Sequence, residues 1–147
     1  MASTPASIRR MKDPVKRASV SAEMLAVVHS ETDETRAARD AACLYLLRNK
    51  GWQPVQVYRL ASLSRRLFGP IAGRIRAGEK APAVKDAEMV AKAAGQAFWT
   101  LKRRGDELTE IRIGAIEQLL AQGWSNAEIA RTAGVSGARV AQIRSGE

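Results

Sequence analysis

The 147-residue sequence predicts an all-α fold built as two small helical units in tandem, at least the C-terminal one a helix-turn-helix. Three observations predict it. Apolar residues recur at intervals of three and four through most of the chain, and no segment alternates with period two for long enough to suggest a sheet. Glycine and proline fall at Gly51, Gly69-Pro70, Gly78, Pro82, Gly105, Gly123 and Gly134, spaced as helix ends are. Serines at 21, 125 and 136 stand directly before apolar-periodic runs, where a hydroxyl caps a helix.

In chain order, residues 1–18 carry scattered Pro, Ser and Thr without a helical period and read as a flexible basic arm, suited to phosphates or a minor groove. Ser21 is expected to cap a short helix through Val28, and a second helix is expected from Thr32 or Asp33 to Lys50, with acids in its first turn favouring the helix dipole. Pro54 suits the first turn of a helix ending near Leu60. Gly69-Pro70 is expected to interrupt the helix that follows. The stretch 79–84 is the natural linker, which puts an N-terminal domain at 19–78 and a C-terminal domain at 85–147. A helix over 85–103 is expected to stop at Gly105 and another to run from Leu108 to Ala121. An exposed apolar side on the 85–103 helix, with Phe98 and Trp99, is expected to bridge the units or form a dimer contact.

Composition narrows the function. A formal charge of +9 favours an acidic partner, since phosphate binding is driven by counterion release. The charge is uneven: +4 over 1–17, −3 over 18–47, +7 over 48–80, +1 over 81–107 and zero over the last forty residues. The single Cys43 excludes an internal disulfide and a cysteine zinc cluster, and the single His29 excludes a multi-histidine centre. Glu31, Asp33, Glu34 and Asp40 lack the second contributing element a divalent site needs. There is no phosphate-cradling glycine loop and no nucleophile with a matched base, so the expectation is a non-enzyme without cofactor or metal. No secretory signal or long apolar run is present, which suggests a cytoplasmic, nucleoid-associated protein. Trp52 and Trp124 each follow a helix-ending glycine and are expected as core plugs. Cys43 is expected as a small buried filler.

The most specific pattern runs from Gly123 to Arg144. Ser125 and Glu128 form a capping-box pair, Ile129 and Ala133 face inward, Ala130 permits a close helix crossing, and Gly134 supplies a tight turn. Val135 fills the angle, Ser136 caps the next helix, and Val140 and Ile143 face the core. The segment resembles the helix-turn-helix of bacterial regulators and the promoter-recognising end of sigma factors, and the two-unit layout resembles the compact repressors of actinobacterial phages. That resemblance implies a recognition helix over 137–144 in the major groove of double-stranded DNA. Gln142 would pair with adenine, Arg139 would reach guanine or phosphate, Ala138 would touch a thymine methyl, and Gly137 and Arg144 would share the exposed face. Ser136 and the helix start would hold a phosphate.

A decayed second copy is expected upstream. Beyond the Gly51-Trp52 and Gly123-Trp124 pairs, Val57 aligns with Ile129, Ala61 with Ala133, Leu63 with Val135, Ser64 with Ser136 and Phe68 with Val140. Further upstream, Ala22–Ala26 resembles Ala87–Ala91. In this copy Tyr58 replaces the small crossing residue and Ser62 the turn glycine. Its expected contribution is phosphate contact through Ser64, Arg65, Arg66, Arg74 and Arg76, with Lys80 nearby. A monomer spanning one duplex and a homodimer on a palindrome are both open. The function expected is a transcriptional repressor; the alternative is a DNA-organising or partition protein, or an adaptor contacting RNA polymerase.

Overall fold

A computed structural model describes residues 3–146. Among them are seven α-helices and no strand: α1 (Pro5–Arg9), α2 (Pro14–Asn49), α3 (Pro54–Leu60), α4 (Arg65–Arg76), α5 (Ala87–Ala121), α6 (Asn126–Ala133) and α7 (Gly137–Arg144). The all-α prediction holds, while several boundaries differ.

The N-terminal stretch is structured. Thr4 caps α1, Asp13 accepts from the Val15 N–H at 3.0 Å at the start of α2, and Ile8 and Ala18 are fully buried. The expected flexible arm therefore begins folding at Pro5, because two apolar residues tie it to a core.

α2 is one 36-residue helix where two were expected. No glycine or proline occurs between Pro14 and Gly51, so nothing in the covalent chain stops it. Ser21 does not cap; it is buried and its hydroxyl donates to the Ala18 carbonyl at 3.0 Å. The acids at 31–34 decorate the surface of a helix whose Val28 and Thr32 stay buried. α5 likewise runs through Gly105 for 35 residues, since a glycine weakens a helix by only about 1 kcal/mol without ending it.

α4 also passes through its proline. Pro70 has no N–H for the preceding turn, but Gly69 has no side chain to collide with the pyrrolidine ring, and Phe68 and Ile71 are both buried. Packing on both sides of the proline outweighs one lost hydrogen bond.

Two compact units result, and neither matches the linear division at 79–84. Unit 1 comprises Met1–His29 with Arg103–Glu147; unit 2 comprises Ser30–Lys102. Each takes part of α2, part of α5 and one pair of short helices, and unit 1 also holds α1. In unit 1, Leu25 and Val28 of α2 pack with Leu108 and Ile111 of α5, and Ala18 with Ala115, Ile116 and Leu119. The two segments therefore run antiparallel, and α6 and α7 add Ile129, Ala133 and Val140 to this core. In unit 2, Ala42, Cys43 and Leu46 of α2 meet Ala87 and Ala91 of α5, with Val57, Ala61, Phe68 and Ile71 from α3 and α4.

Burial along α2 and α5 corresponds at one constant interval: Pro14 with Ala87, Ala18 with Ala91, Leu25 with Phe98, Ala42 with Ala115, Cys43 with Ile116 and Leu46 with Leu119. This corrects the upstream pairing of Ala22–Ala26 with Ala87–Ala91, which lies roughly two turns out of register; such a shift keeps an apolar face aligned and so mimics a match. Phe98 is only 7% exposed, and the half-buried Trp99 donates its indole N–H to the Ser62 carbonyl at 2.8 Å, so both rings are engaged within unit 2. Arg36 and Arg39 lie over the Phe98 ring at 5.5 and 4.7 Å, and the buried Arg39 pairs with Asp40 at 3.0 Å.

Candidate functional site

The C-terminal corner of unit 1 is assembled from local signals. α5 ends at Ala121, and Gly123 beyond it has a φ of 89°, which lets the Trp124 N–H return to the Leu119 carbonyl at 3.1 Å. Trp124 is half-buried against the core, as expected of a plug. Ser125 then starts α6 by accepting from the Glu128 N–H at 3.2 Å. The Glu128 carboxylate accepts from the Ser125 hydroxyl at 2.8 Å, which ties the pair by a bond other than the reciprocal backbone one.

Gly134 ends α6 in the left-handed region, at φ 65° and ψ 36°. A side chain there would also come within 3.3 Å of the Ala22 Cβ. The Val135 N–H donates to the Ala130 carbonyl at 3.2 Å, which closes the turn, and Ser136 caps α7 by accepting from the Arg139 N–H at 3.1 Å. Val140 is fully buried and Ile143 packs half-buried on the same cluster.

Ser136, Gly137, Ala138, Gln142 and Arg144 are exposed, and Arg139 is half-exposed. The Arg139 Nη1 donates to the Gln142 Oε1 at 3.3 Å, so these two side chains stand together on the outer side of α7. One residue joins them that sequence spacing did not single out. Arg112 of α5 has its pKa pushed down, first by burial and then by the positive charge of Arg139. The signal was available only as one arginine on an otherwise apolar helix face, which also reads as a solvated side chain.

Unit 2 repeats the local plan. Ser62 occupies the turn at φ 58°, the left-handed value Gly134 has in unit 1, and the Leu63 N–H donates to the Tyr58 carbonyl at 2.8 Å. Ser64 caps α4 by accepting from the Leu67 N–H at 3.1 Å. Tyr58 meets Phe68 with ring centroids 5.6 Å apart, filling the crossing that Ala130 leaves small in unit 1.

The basic residues of this unit do not act as one free cluster. Arg65, Arg66, Arg76 and Lys80 are exposed. Arg74 instead donates two bonds to the Glu79 carboxylate, at 2.7 and 2.8 Å, which holds the Glu79 pKa below its ordinary value and raises that of Arg74. At the α4 position matching Arg139 stands Leu67, 45% exposed, and Pro70 matches Gln142.

No family model, curated protein or solved structure matches this chain. Among the described residues, no three His, Cys, Asp or Glu side chains are grouped to hold a metal ion, and no helix is long and apolar enough to cross a membrane.

Proposed function

We propose that the chain is a sequence-specific double-stranded DNA-binding regulator that acts as a repressor, with α6 and α7 as its helix-turn-helix and α7 as the helix that enters the major groove. The observation that carries this reading is the arrangement at Ser125–Arg144. A capped helix, a left-handed glycine turn and a second capped helix bury Ile129, Ala133 and Val140, while Gln142, Ala138 and Arg144 stay on the outside beside Arg139. Arg139 and Gln142 are the base-reading side chains in this proposal, since arginine suits guanine and glutamine suits adenine at the major-groove edge. Ser136 and the N–H groups at the start of α7 hold a phosphate.

The last forty residues are neutral overall, so α7 needs cations from elsewhere for affinity. Arg65, Arg66 and Arg76 of α4 are the exposed supply in unit 2. With Leu67 and Pro70 at the reading positions, this second helix-turn-helix contributes charge more than base discrimination. The matched burial of α2–α4 and α5–α7 supports an internal duplication, so the chain carries two related units without a second copy.

The test is selection of bound sequences from random duplex DNA with the full chain, followed by titration of variants on the enriched site. Residues 3–29 complete the core of unit 1, so a fragment beginning near residue 84 is unsuitable. Arg139→Ala and Gln142→Ala are each expected to lose about 1–3 kcal/mol on the selected site and little on random DNA. Arg65→Ala and Arg66→Ala should weaken both equally and lower the salt slope by about one each. A protein that binds duplex DNA without enriching any sequence is an organising protein, and one that binds none is an adaptor; either result overturns the regulator.

A further inference from the structure

Unit 2 holds a cleft of about 710 Å³ where the end of α2 meets the start of α5. That is the size of a small-molecule site. Its body is apolar and aromatic, from Tyr45, Trp52 and Met89, the last of them 70% exposed. Its rim is cationic. Lys50, Lys85 and Lys92 line it, all exposed, with the Lys50 ammonium 5.8 Å from the centre of the Tyr45 ring. Asp86 and Glu88 offset two of these charges, which leaves the lining net positive by one.

Unit 1 provides an internal comparison, because its matching corner is strapped by its own chain. Val15 stands in α2 where Glu88 stands in α5, and it packs on the buried cluster that Leu120 and Trp124 flank. Arg17 then straps the preceding segment down, donating to the Met11 carbonyl at 2.6 Å, to the Lys12 carbonyl at 3.2 Å and to Gln118. In unit 2 the residue matching Arg17 is Val90 and the residue matching Gln118 is Tyr45. The strap is gone and an aromatic ring faces the space. The same architecture thus carries an arginine strap at this corner in one unit and an aromatic ring in the other.

We propose that the unit 2 cleft binds a small aromatic molecule bearing a single anionic group, such as an aryl carboxylate. Its ring lies against Tyr45, Trp52 and Met89, and its anion meets Lys85 and Lys92. This inference does not rest on the DNA-binding reading, and its assay contains no DNA.

2-Naphthoate titrated into the full chain by calorimetry in low salt tests it, with amide chemical shifts to locate the site. The expected result is saturable one-to-one binding in the sub-millimolar range, at least about tenfold tighter than neutral 2-naphthamide, with shifts centred on Tyr45, Trp52 and Met89. The variant Lys85→Glu/Lys92→Glu should bind at least about tenfold more weakly while melting like the wild type, because both side chains are exposed. Absence of saturation up to about 10 mM overturns the proposal. So does equal affinity for the amide, unchanged affinity in the double variant, or shifts centred elsewhere.

Discussion

Three glycines lie inside α5, and two of them should respond to the same substitution in opposite directions. An alanine Cβ at Gly95 would sit 2.1 Å from the Ala61 carbonyl oxygen, 2.6 Å from its carbon and 3.0 Å from its Cα. All three are backbone atoms, at the point where α3 turns into left-handed Ser62, so no side chain can rotate aside. Relief requires α3 and α5 to separate, which strains the Ala61 and Ala91 packing and the Trp99–Ser62 hydrogen bond. Overpacking costs about 1–3 kcal/mol in ordinary cores; with backbone on the receiving side, Gly95→Ala is expected to lose about 3 kcal/mol, outweighing the helix-propensity gain of about 1 kcal/mol. At Gly114 a Cβ meets nothing within 4 Å, so Gly114→Ala should gain that propensity, about 0.5–1 kcal/mol. Urea titrations followed by circular dichroism measure both, and melting points should move about 6–12 °C down for the first and a few degrees up for the second. If Gly95→Ala falls within about 1 kcal/mol of the wild type, or both variants shift the same way, the close approach of α5 to the α3–α4 turn is wrong.

The two turns predict a second contrast: Gly134→Ala should cost about 1–2 kcal/mol, since φ is 65° and Ala22 crowds the new Cβ, whereas Ser62→Gly should gain up to about 1 kcal/mol by relieving a left-handed serine. Chemical denaturation of both variants checks the signs. Asp40→Ala strips the buried Arg39 of its carboxylate and should destabilise by about 3 kcal/mol, whereas exchanging the exposed Asp33 should change stability by less than about 0.5 kcal/mol. Burial, then the neighbouring Asp40 charge, raise the Cys43 thiol to about 12, against a partial opposing effect of Arg39. A disulfide reagent should therefore leave it unmodified at neutral pH until the chain is unfolded. Because the folded pKa lies above the unfolded one of 9.0, the unfolded state ionises first, and this contribution to stability is complete below pH 9 and is lost as the pH rises towards 12.

What the sequence disclosed was whatever is decided within a few residues. Ser125, Ser136 and Ser64 cap as their spacing requires, Gly134 turns left-handed, and the alignment of Val57, Ala61, Ser64 and Phe68 with Ile129, Ala133, Ser136 and Val140 reappears as matching burial and caps. These features need only side chains reaching their own backbone. The long helices stayed hidden because their continuity is a tertiary matter. Acids at 31–34 and Gly105 carry local signs of helix ends, but neither is strong enough to stop a helix whose Val28 packs against Leu108 and Ile111. Burial of Ile8 and Ala18 was illegible for the same reason: their partners lie about a hundred positions away, and no period in the first eighteen residues announces them. At the candidate site, the Glu79 carboxylate on Arg74 was hidden too, since sequence counts charges without showing which are already neutralised.

The way the chain divides sets an order for its assembly during synthesis. Ser30–Lys102 is contiguous and has its whole core once Lys102 has left the ribosome, but the first twenty-nine residues have nowhere to dock until Arg103 onwards has followed. For that interval Ile8, Ala18, Leu25 and Val28 belong to a nascent segment awaiting its complement, and the α6–α7 corner closes last. Joining distant parts of a chain is slow because loop closure comes before any contact rewards it. A nascent chain paused soon after Lys102 has emerged from the ribosome should thus present a protease-resistant middle and a cleavable beginning.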